Sequence, residues 1–354
     1  MMVGRSAEPD YQLVAGFRFR CLPNCGLCCY TTPAVAPSER NRLIQLDPMV
    51  PLRETRNGWS QIASRPEGGA CHFLREGRCG CHSIRPATCG EFPLTAHVSQ
   101  RVQVFIVLSC PGVDLTALAN WRLGAPLGSV SSDLRPEVEY MEREVAHAEA
   151  VGELRWASRR RRNVERRLRL KGVWQAEEEV RARLRPHVGR LIPTEWPLAD
   201  PPQEPDDLES LPMFYDPTLG RVAGRAHPGG MEFLTLRESG GIDRFLGVLD
   251  PPTRSPGLDS HARAILRGYL AYRLERDATF GAVYDYLLES EPTLPERAIA
   301  NELQLSAGQV IRLASLRRAL TSDRRGPLSG PEIEDGVRAT DMDVLDRPTV
   351  GLRL

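Results

Sequence analysis

The chain has 354 residues and carries 46 basic and 46 acidic side chains, for a formal charge of zero. That balance excludes a bulk electrostatic pull toward nucleic acid or an anionic membrane. Lys171 is the single lysine, so there is no Gly-x-x-x-x-Gly-Lys-Ser/Thr phosphate loop, and a Schiff-base lysine would have to come from a charged helical run.

The length predicts about two or three domains, and a hydrophobic content of 41% can fill their cores. Met1 to Arg20 holds no apolar run of signal-peptide length. No stretch reaches the roughly 20 apolar residues of a membrane helix. The expectation is a cytoplasmic α+β protein with no membrane partner.

In chain order, residues 1–130 read as a cysteine-rich domain. Short strands are predicted at Gln12–Arg20, Glu91–His97 and Arg101–Ser109, where apolar residues alternate or run together. The run Val104–Leu108 reads as a buried strand. A helix is predicted to begin at Pro37-Ser38-Glu39, with Ser38 as its cap and Glu39 in the positive first turn. Residues 131–205 read as a helical, arginine-rich segment, since Val138, Met141, Val145 and Ala148 follow helical spacing. The basic stretch from Arg155 to Lys171, with Arg159 to Arg162 consecutive, reads as a solvated face balanced by Glu177, Glu178 and Glu179.

Residues 206–257 carry turn signals at Asp216-Pro217, Gly220, Gly229-Gly230 and Gly240-Gly241, the pattern of a small β-meander with its linker. Residues 258–323 read as a helical bundle with a helix-turn-helix-like end. There Ala298, Ile299 and Leu303 pack from a first helix, Leu305 fills the turn and Ser306 caps a second helix carrying Val310 and Leu313. Residues 324–354 are rich in proline, glycine and acid, and read as a flexible tail.

The chemistry concentrates in the cysteines. All nine fall between Cys21 and Cys110. The odd count, the adjacent Cys28-Cys29 pair and a reducing address argue against a disulfide scaffold. Thiols crowded this tightly are expected as thiolate ligands of zinc or an iron–sulfur cluster. Cys21-x3-Cys25-x2-Cys28 folds onto one metal, with Gly26 supplying the turn. Cys71, Cys79 and Cys89 complete the shell from a second loop, and Gly68, Gly69, Gly77 and Gly80 permit close approach there. The expected ligand set is Cys21, Cys25, Cys28, Cys29, Cys71, Cys79, Cys89 and Cys110. Adjacent Cys28 and Cys29 suit neighbouring irons of a 4Fe–4S cluster, or two nearby metals, better than one tetrahedral zinc. His72 and His82 read as ordinary loop residues. Arg85 is placed to hydrogen-bond sulfur or fix the loop.

These knots resemble the cysteine-cluster family often called YkgJ, a zinc- or iron-chelating domain. Its pattern is Phe-x-Cys-x-x-Cys-Gly-x-Cys-Cys, then Cys-x-Phe-Leu, then Cys-x-Ile-Tyr-x-x-Arg-Pro-x-x-Cys-Arg-x-x-Pro. The matching residues are Phe19, Cys21, Cys25, Gly26, Cys28 and Cys29, then Cys71, Phe73 and Leu74, then Cys79, Arg85, Pro86, Cys89 and Pro93. The first gap holds three residues where the family has two. Cys81 takes the family's isoleucine position, His82 its tyrosine and Gly90 its arginine, which makes Cys81 either the odd thiol or a replacement for another ligand. The resemblance covers residues 17–112 and implies metal binding without assigning a reaction.

Two other functions stay open at this level. Leu108-Ser-Cys110-Pro111-Gly112 is similar to an element of the flagellin lysine N-methylases, which raises a protein-modifying enzyme acting on a protein substrate, although no glycine-rich turn for S-adenosylmethionine is present. The helix-turn-helix rhythm over 296–318 raises a metal- or redox-sensing DNA-binding regulator, with Ala307, Gly308, Gln309 and Arg312 toward the groove. Cys-x3-Cys-x2-Cys is also the cluster spacing of radical S-adenosylmethionine enzymes, but the βα alternation of their barrel is missing.

Overall fold

A computed structural model describes residues 9–122 apart from 24, 31, 56–58, 68 and 99–101, then 164–167, 173–194, 213–216, 219–249, 256–289, 294–322 and 325–341. The described chain is α+β, with small antiparallel sheets and a helical bundle. The Arg159–Arg162 run and the linker at 201–207 lie outside the described residues.

The cysteine-rich part is built from short pieces. β1 (Ala34–Val35), β2 (Leu52–Glu54) and β3 (Ser60–Ile62) form one sheet in the order β1-β3-β2. Helix α1 (Pro37–Leu46) lies between β1 and β2 in sequence. Its cap is not Ser38: Ala36 holds that position, and the Glu39 carboxylate accepts the Ala36 N–H at 3.1 Å. A serine inside the first turn leaves this task to the acid at the third position, which reaches back to the chain entering the helix. β4 (Leu74–Arg75) and β5 (Arg78–Cys79) make a tight hairpin, and α2 (Ala87–Gly90) is a single turn carrying Cys89.

β6 (Leu94–Val98) and β7 (Val102–Ile106) pair as a second hairpin. Every residue of β7 is buried, as the apolar run beginning at Val104 predicts, and the one polar residue, Gln103, is buried as well. The strand predicted at Gln12–Arg20 is instead a series of tight turns. Val14 donates to the Tyr11 carbonyl, Phe17 donates to the Val14 carbonyl, and Gly16 adopts φ +88°. Only Phe19 pairs in extended fashion, opposite Val113. The apolar residues Leu13, Val14 and Phe17 are buried all the same, because turns can face the core as well as a strand can.

Helix α3 (Val173–Leu184) falls in the segment predicted helical. The predicted meander is present: β8 (Met213–Asp216), β9 (Gly220–His227), β10 (Gly230–Leu236) and β11 (Ile242–Leu249) are antiparallel neighbours in chain order.

The bundle comprises α4 (Ser260–Glu275), α5 (Asp277–Glu289), α6 (Pro295–Thr321) and α7 (Gly330–Asp341). The helix-turn-helix does not form. α6 is one continuous helix of 27 residues, Ser306 returns its hydroxyl to the Glu302 carbonyl at 2.9 Å, and Leu305 is exposed. A serine inside a helix can satisfy its hydroxyl this way instead of starting a new helix. With no turn at Gln304, there is no separate recognition helix over 296–318. The flexible tail is also corrected over 330–341. α7 buries Ile333, Val337 and Thr340 along one face, and a side chain at Gly336 would stand 2.3 Å from the Val310 carbonyl oxygen.

One hydrophobic cluster runs from Phe17 and Phe19 through β7 and Cys110 into α4, α5, α6 and α7. Polar ties match it. The Tyr272 hydroxyl donates to the Ile106 carbonyl and accepts the Ile106 N–H, both at 2.8 Å. Gln103 accepts the Asp277 N–H at 2.7 Å and donates to the Glu275 carbonyl at 2.9 Å. Arg276 pairs with Asp341 at 2.9 Å and stacks on Phe105 and Tyr272.

Candidate metal centre

Three chain segments bring the thiols together, and backbone hydrogen bonds lock them. In the first, Gly26 at φ +60° turns the chain so that Cys29 donates to the Gly26 carbonyl, starting the 3-10 turn Leu27–Tyr30 that carries Cys28 and Cys29. A side chain at Gly26 would meet Leu74 Cδ1 at 2.9 Å, so glycine serves here for both conformation and space. In the second, Cys71 donates its N–H to the Cys29 carbonyl at 2.6 Å, joining the two knots directly. The β4–β5 hairpin pairs Leu74 with Cys79, and its turn residues Glu76 and Gly77 both have positive φ. In the third, Arg20 donates to the Gly112 carbonyl at 2.9 Å, which ties the chain leading into Cys21 to the chain leaving Cys110.

Cys89 is positioned from α1. The Glu39 carboxylate that caps α1 also accepts the Ala87 N–H at 3.0 Å, and the Thr88 hydroxyl donates to the Ala34 carbonyl at 2.7 Å.

None of the nine cysteines is in a disulfide. Cys29, Cys71, Cys81 and Cys110 are buried, Cys25, Cys28, Cys79 and Cys89 are half-buried, and Cys21 is exposed. Cys79 Sγ and Cys81 Sγ stand 3.6 Å apart. Cys89 lies within electrostatic reach of Cys28, Cys71 and Cys79, and Cys110 within reach of Cys21, Cys25 and Cys28. All eight cysteines predicted as ligands therefore belong to one neighbourhood. Cys81, open between odd thiol and replacement ligand, sits in it too. Among the described residues, no three Cys, His, Asp or Glu side chains are already closed into a metal-ready group.

Burial dominates the acidity of several of these thiols. It pushes Cys25 up from 9.0 to about 11, and raises Cys71, Cys89 and Cys110. Cys29 shares hydrogen bonds with Cys28 and Cys79, and in this coupled set Cys29 is raised while the other two are lowered. Cys81 is raised chiefly by its hydrogen bond with Cys79, with burial acting in the same direction. Two arginines offset negative charge: Arg85 favours the thiolates of Cys28 and Cys89, and Arg65 that of Cys71.

Both histidines are engaged by neighbours other than sulfur. His72 Nε2 pairs with Asp47 Oδ2 at 2.7 Å, and Arg85 hydrogen-bonds His82 Nε2.

The sequence reading missed a clamp on the second knot. The tip of the β10–β11 hairpin reaches over the loop from Arg65 to Cys79. Glu238 accepts the Gly77 N–H at 2.7 Å and the Glu76 N–H at 3.0 Å, and its carbonyl accepts from Ala70 and from Arg65. Gly241 donates to the Glu67 carbonyl at 2.9 Å, and a side chain at Gly240 would stand 2.0 Å from the Pro66 carbonyl oxygen. The glycine pair was legible as a turn, but nothing local signals what the turn touches. Tyr30 adds a second link, with the Arg221 guanidinium of β9 at 4.2 Å over its ring.

Residues 20–110 match the family model CxxCxxCC, described as "Putative zinc- or iron-chelating domain". No curated protein and no solved structure matches the chain. No helix among the described residues is long and apolar enough to cross a membrane.

Proposed function

Taking residues 20–110 as a cysteine-cluster chelating domain, we propose that the chain binds zinc or iron through the thiolates of Cys21, Cys25, Cys28, Cys29, Cys71, Cys79, Cys89 and Cys110. The observation that carries the reading is the gathering of nine thiols from three chain segments with no disulfide among them. Soft thiolates select zinc or iron over hard cations. The donor set fits such an ion: the sulfurs are concentrated, mostly shielded from water, and faced by Arg65 and Arg85.

When bound, the metal supplies a cross-link between segments that otherwise meet through a few backbone hydrogen bonds. This chain's own residues do the rest. Gly26 and the 3-10 turn aim the first knot, Glu39 and Thr88 hold the turn carrying Cys89, and Glu238 fixes the β4–β5 hairpin carrying Cys79. Burial keeps Cys25, Cys71 and Cys110 protonated until an ion displaces the protons.

The test is thermal unfolding of chelator-stripped, reduced protein titrated with Zn(II), and separately with Fe(II) under argon. A rise in melting temperature that grows with metal concentration supports the reading. No shift with either ion overturns it.

A further inference from the structure

The Sγ atoms of Cys79 and Cys81 stand 3.6 Å apart, with one residue between them in the chain. A disulfide bond is about 2.0 Å long, so the two sulfurs have to close by about 1.5 Å. Rotation of the two side chains moves the sulfurs that far. The adjacent pair Cys28 and Cys29 lacks this freedom, because neighbouring residues bridge only with strained geometry.

The backbone on both sides of Gly80 holds the pair in register. Cys79 ends β5 opposite Leu74. The Gly80 N–H donates to the Phe73 carbonyl at 2.8 Å, and a side chain at Gly80 would stand 3.3 Å from that same oxygen. The Cys81 carbonyl accepts the Ile84 N–H at 2.9 Å, opening the 3-10 turn His82–Ile84. Glu238 fixes the hairpin at its other end.

The two sulfurs differ in access. Cys79 is half-buried, whereas Cys81 is 3% exposed. This asymmetry suits a dithiol that meets a small oxidant: one thiol is reached from solvent, and a sheltered neighbour resolves the product. Cys29 competes for the second role, since it also hydrogen-bonds Cys79. Cys29 belongs to the first knot, where the 3-10 turn Leu27–Tyr30 holds it. A Cys29–Cys79 bond would join two chain segments, and a Cys79–Cys81 bond closes within one.

We propose that Cys79 and Cys81 form a peroxide-reactive dithiol in the metal-free chain, with Cys79 as the attacking thiol and Cys81 as the resolving thiol. The Cys79 sulfur attacks one oxygen of a small hydroperoxide. An S–O bond forms, the O–O bond breaks, and the departing oxygen takes the Cys79 proton, which leaves Cys79 as a sulfenic acid. The Cys81 sulfur then attacks the Cys79 sulfur. The S–S bond forms, the S–O bond breaks, and the hydroxyl leaves as water with the Cys81 proton. With hydrogen peroxide, two thiols and one peroxide give one disulfide and two waters: the sulfurs lose two electrons and the peroxide oxygens gain them. The bond withdraws Cys79 from the ligand set proposed above, but its formation does not rest on that reading. Cys81 replaces an isoleucine of the family pattern, so the dithiol belongs to this chain.

The experiment treats the full chain, reduced and stripped of metal under argon, with one equivalent of hydrogen peroxide. Remaining thiols are alkylated and unreduced tryptic peptides are mapped by mass spectrometry, with folding of every variant checked by circular dichroism. Wild type is expected to lose two thiols and to yield a peptide from Cys79 to Arg101 lighter by two hydrogens, with fragmentation placing the bond between Cys79 and Cys81. In Cys81→Ser, Cys79 is expected to persist as a sulfenic acid, trapped by dimedone roughly tenfold more than in wild type. Cys81→Ile, which restores the family residue, gives the same readout should the serine variant fold poorly. Cys79→Ser is expected to slow oxidation of Cys81 by roughly tenfold. A main product that joins Cys79 to Cys29 or to Cys89 overturns the proposal. So does wild type in which Cys79 and Cys81 stay reduced while other thiols react.

Discussion

The carboxylate of Glu238 accepts the Gly77 N–H at 2.7 Å across a separation of 161 residues. With the Glu76 N–H on its other oxygen, one side chain of the meander sets the turn between Leu74 and Cys79. The residues at that turn have φ of +51° and +71°, and the first of these is costly for a side chain other than glycine. The meander therefore supports the hairpin that carries Cys79.

Glu238→Ala removes two charge-assisted hydrogen bonds and frees a strained turn. Loss of an outer-sphere support of this kind costs about 10- to 100-fold in metal affinity. Competition with a chromophoric chelator measures it. Affinity unchanged within twofold would detach the meander from the site.

Gly26→Ala puts a methyl group 2.9 Å from Leu74 Cδ1 at a φ of +60°. The conformational cost alone is about 1–2 kcal/mol, and Leu74 must also move. Urea unfolding of the metal-free protein is expected to show a loss of at least that size, with metal binding weakened in parallel.

The empty domain has a defined pH response. Burial raises Cys25 from 9.0 to about 11 in the folded protein. A group whose folded value is raised stabilises the fold below its unfolded value, and that contribution is lost as pH rises. The metal-free protein is therefore expected to lose stability between about pH 9 and pH 11, with Cys71 and Cys110 acting in the same direction. Metal binding should strengthen with pH over the neutral range, because an ion must displace thiol protons. A melting temperature flat across the alkaline range in wild type would contradict the burial argument.

Asp341→Ala tests the role of α7. Asp341 is fully buried, pairs with Arg276 at 2.9 Å, and accepts the Leu108 N–H at 2.7 Å. Removing it leaves a buried guanidinium short of its partner, at a cost of about 3–5 kcal/mol. Chemical denaturation measures this. A change under 1 kcal/mol would return residues 330–341 to the status of a tail.

How far the fold could be read follows from the range of each signal. The cysteine spacing, the buried strand β7 and the meander are local patterns and were legible. Gln12–Arg20 misled because apolar residues in tight turns imitate strand alternation. Ser306 has the chemistry of a helix cap, and only the continuity of α6 shows it bonding backward to Glu302. α7 was hidden by its glycines and acids, although Ile333, Val337 and Thr340 keep helical spacing. Glu238 and Glu39 support the site through contacts with loops distant in sequence, and no local pattern announces such pairing. Cys81 was left open between odd thiol and replacement ligand, and its burial beside Cys79 is visible only in three dimensions.

The most direct test of the central claim is elemental analysis, with acid-labile sulfide, of full-length protein purified without oxygen or chelators. The account predicts stoichiometric zinc or iron that is lost when Cys71 and Cys89 are replaced together by serine. Wild-type protein free of both metals, and still free after anaerobic reconstitution, would contradict it.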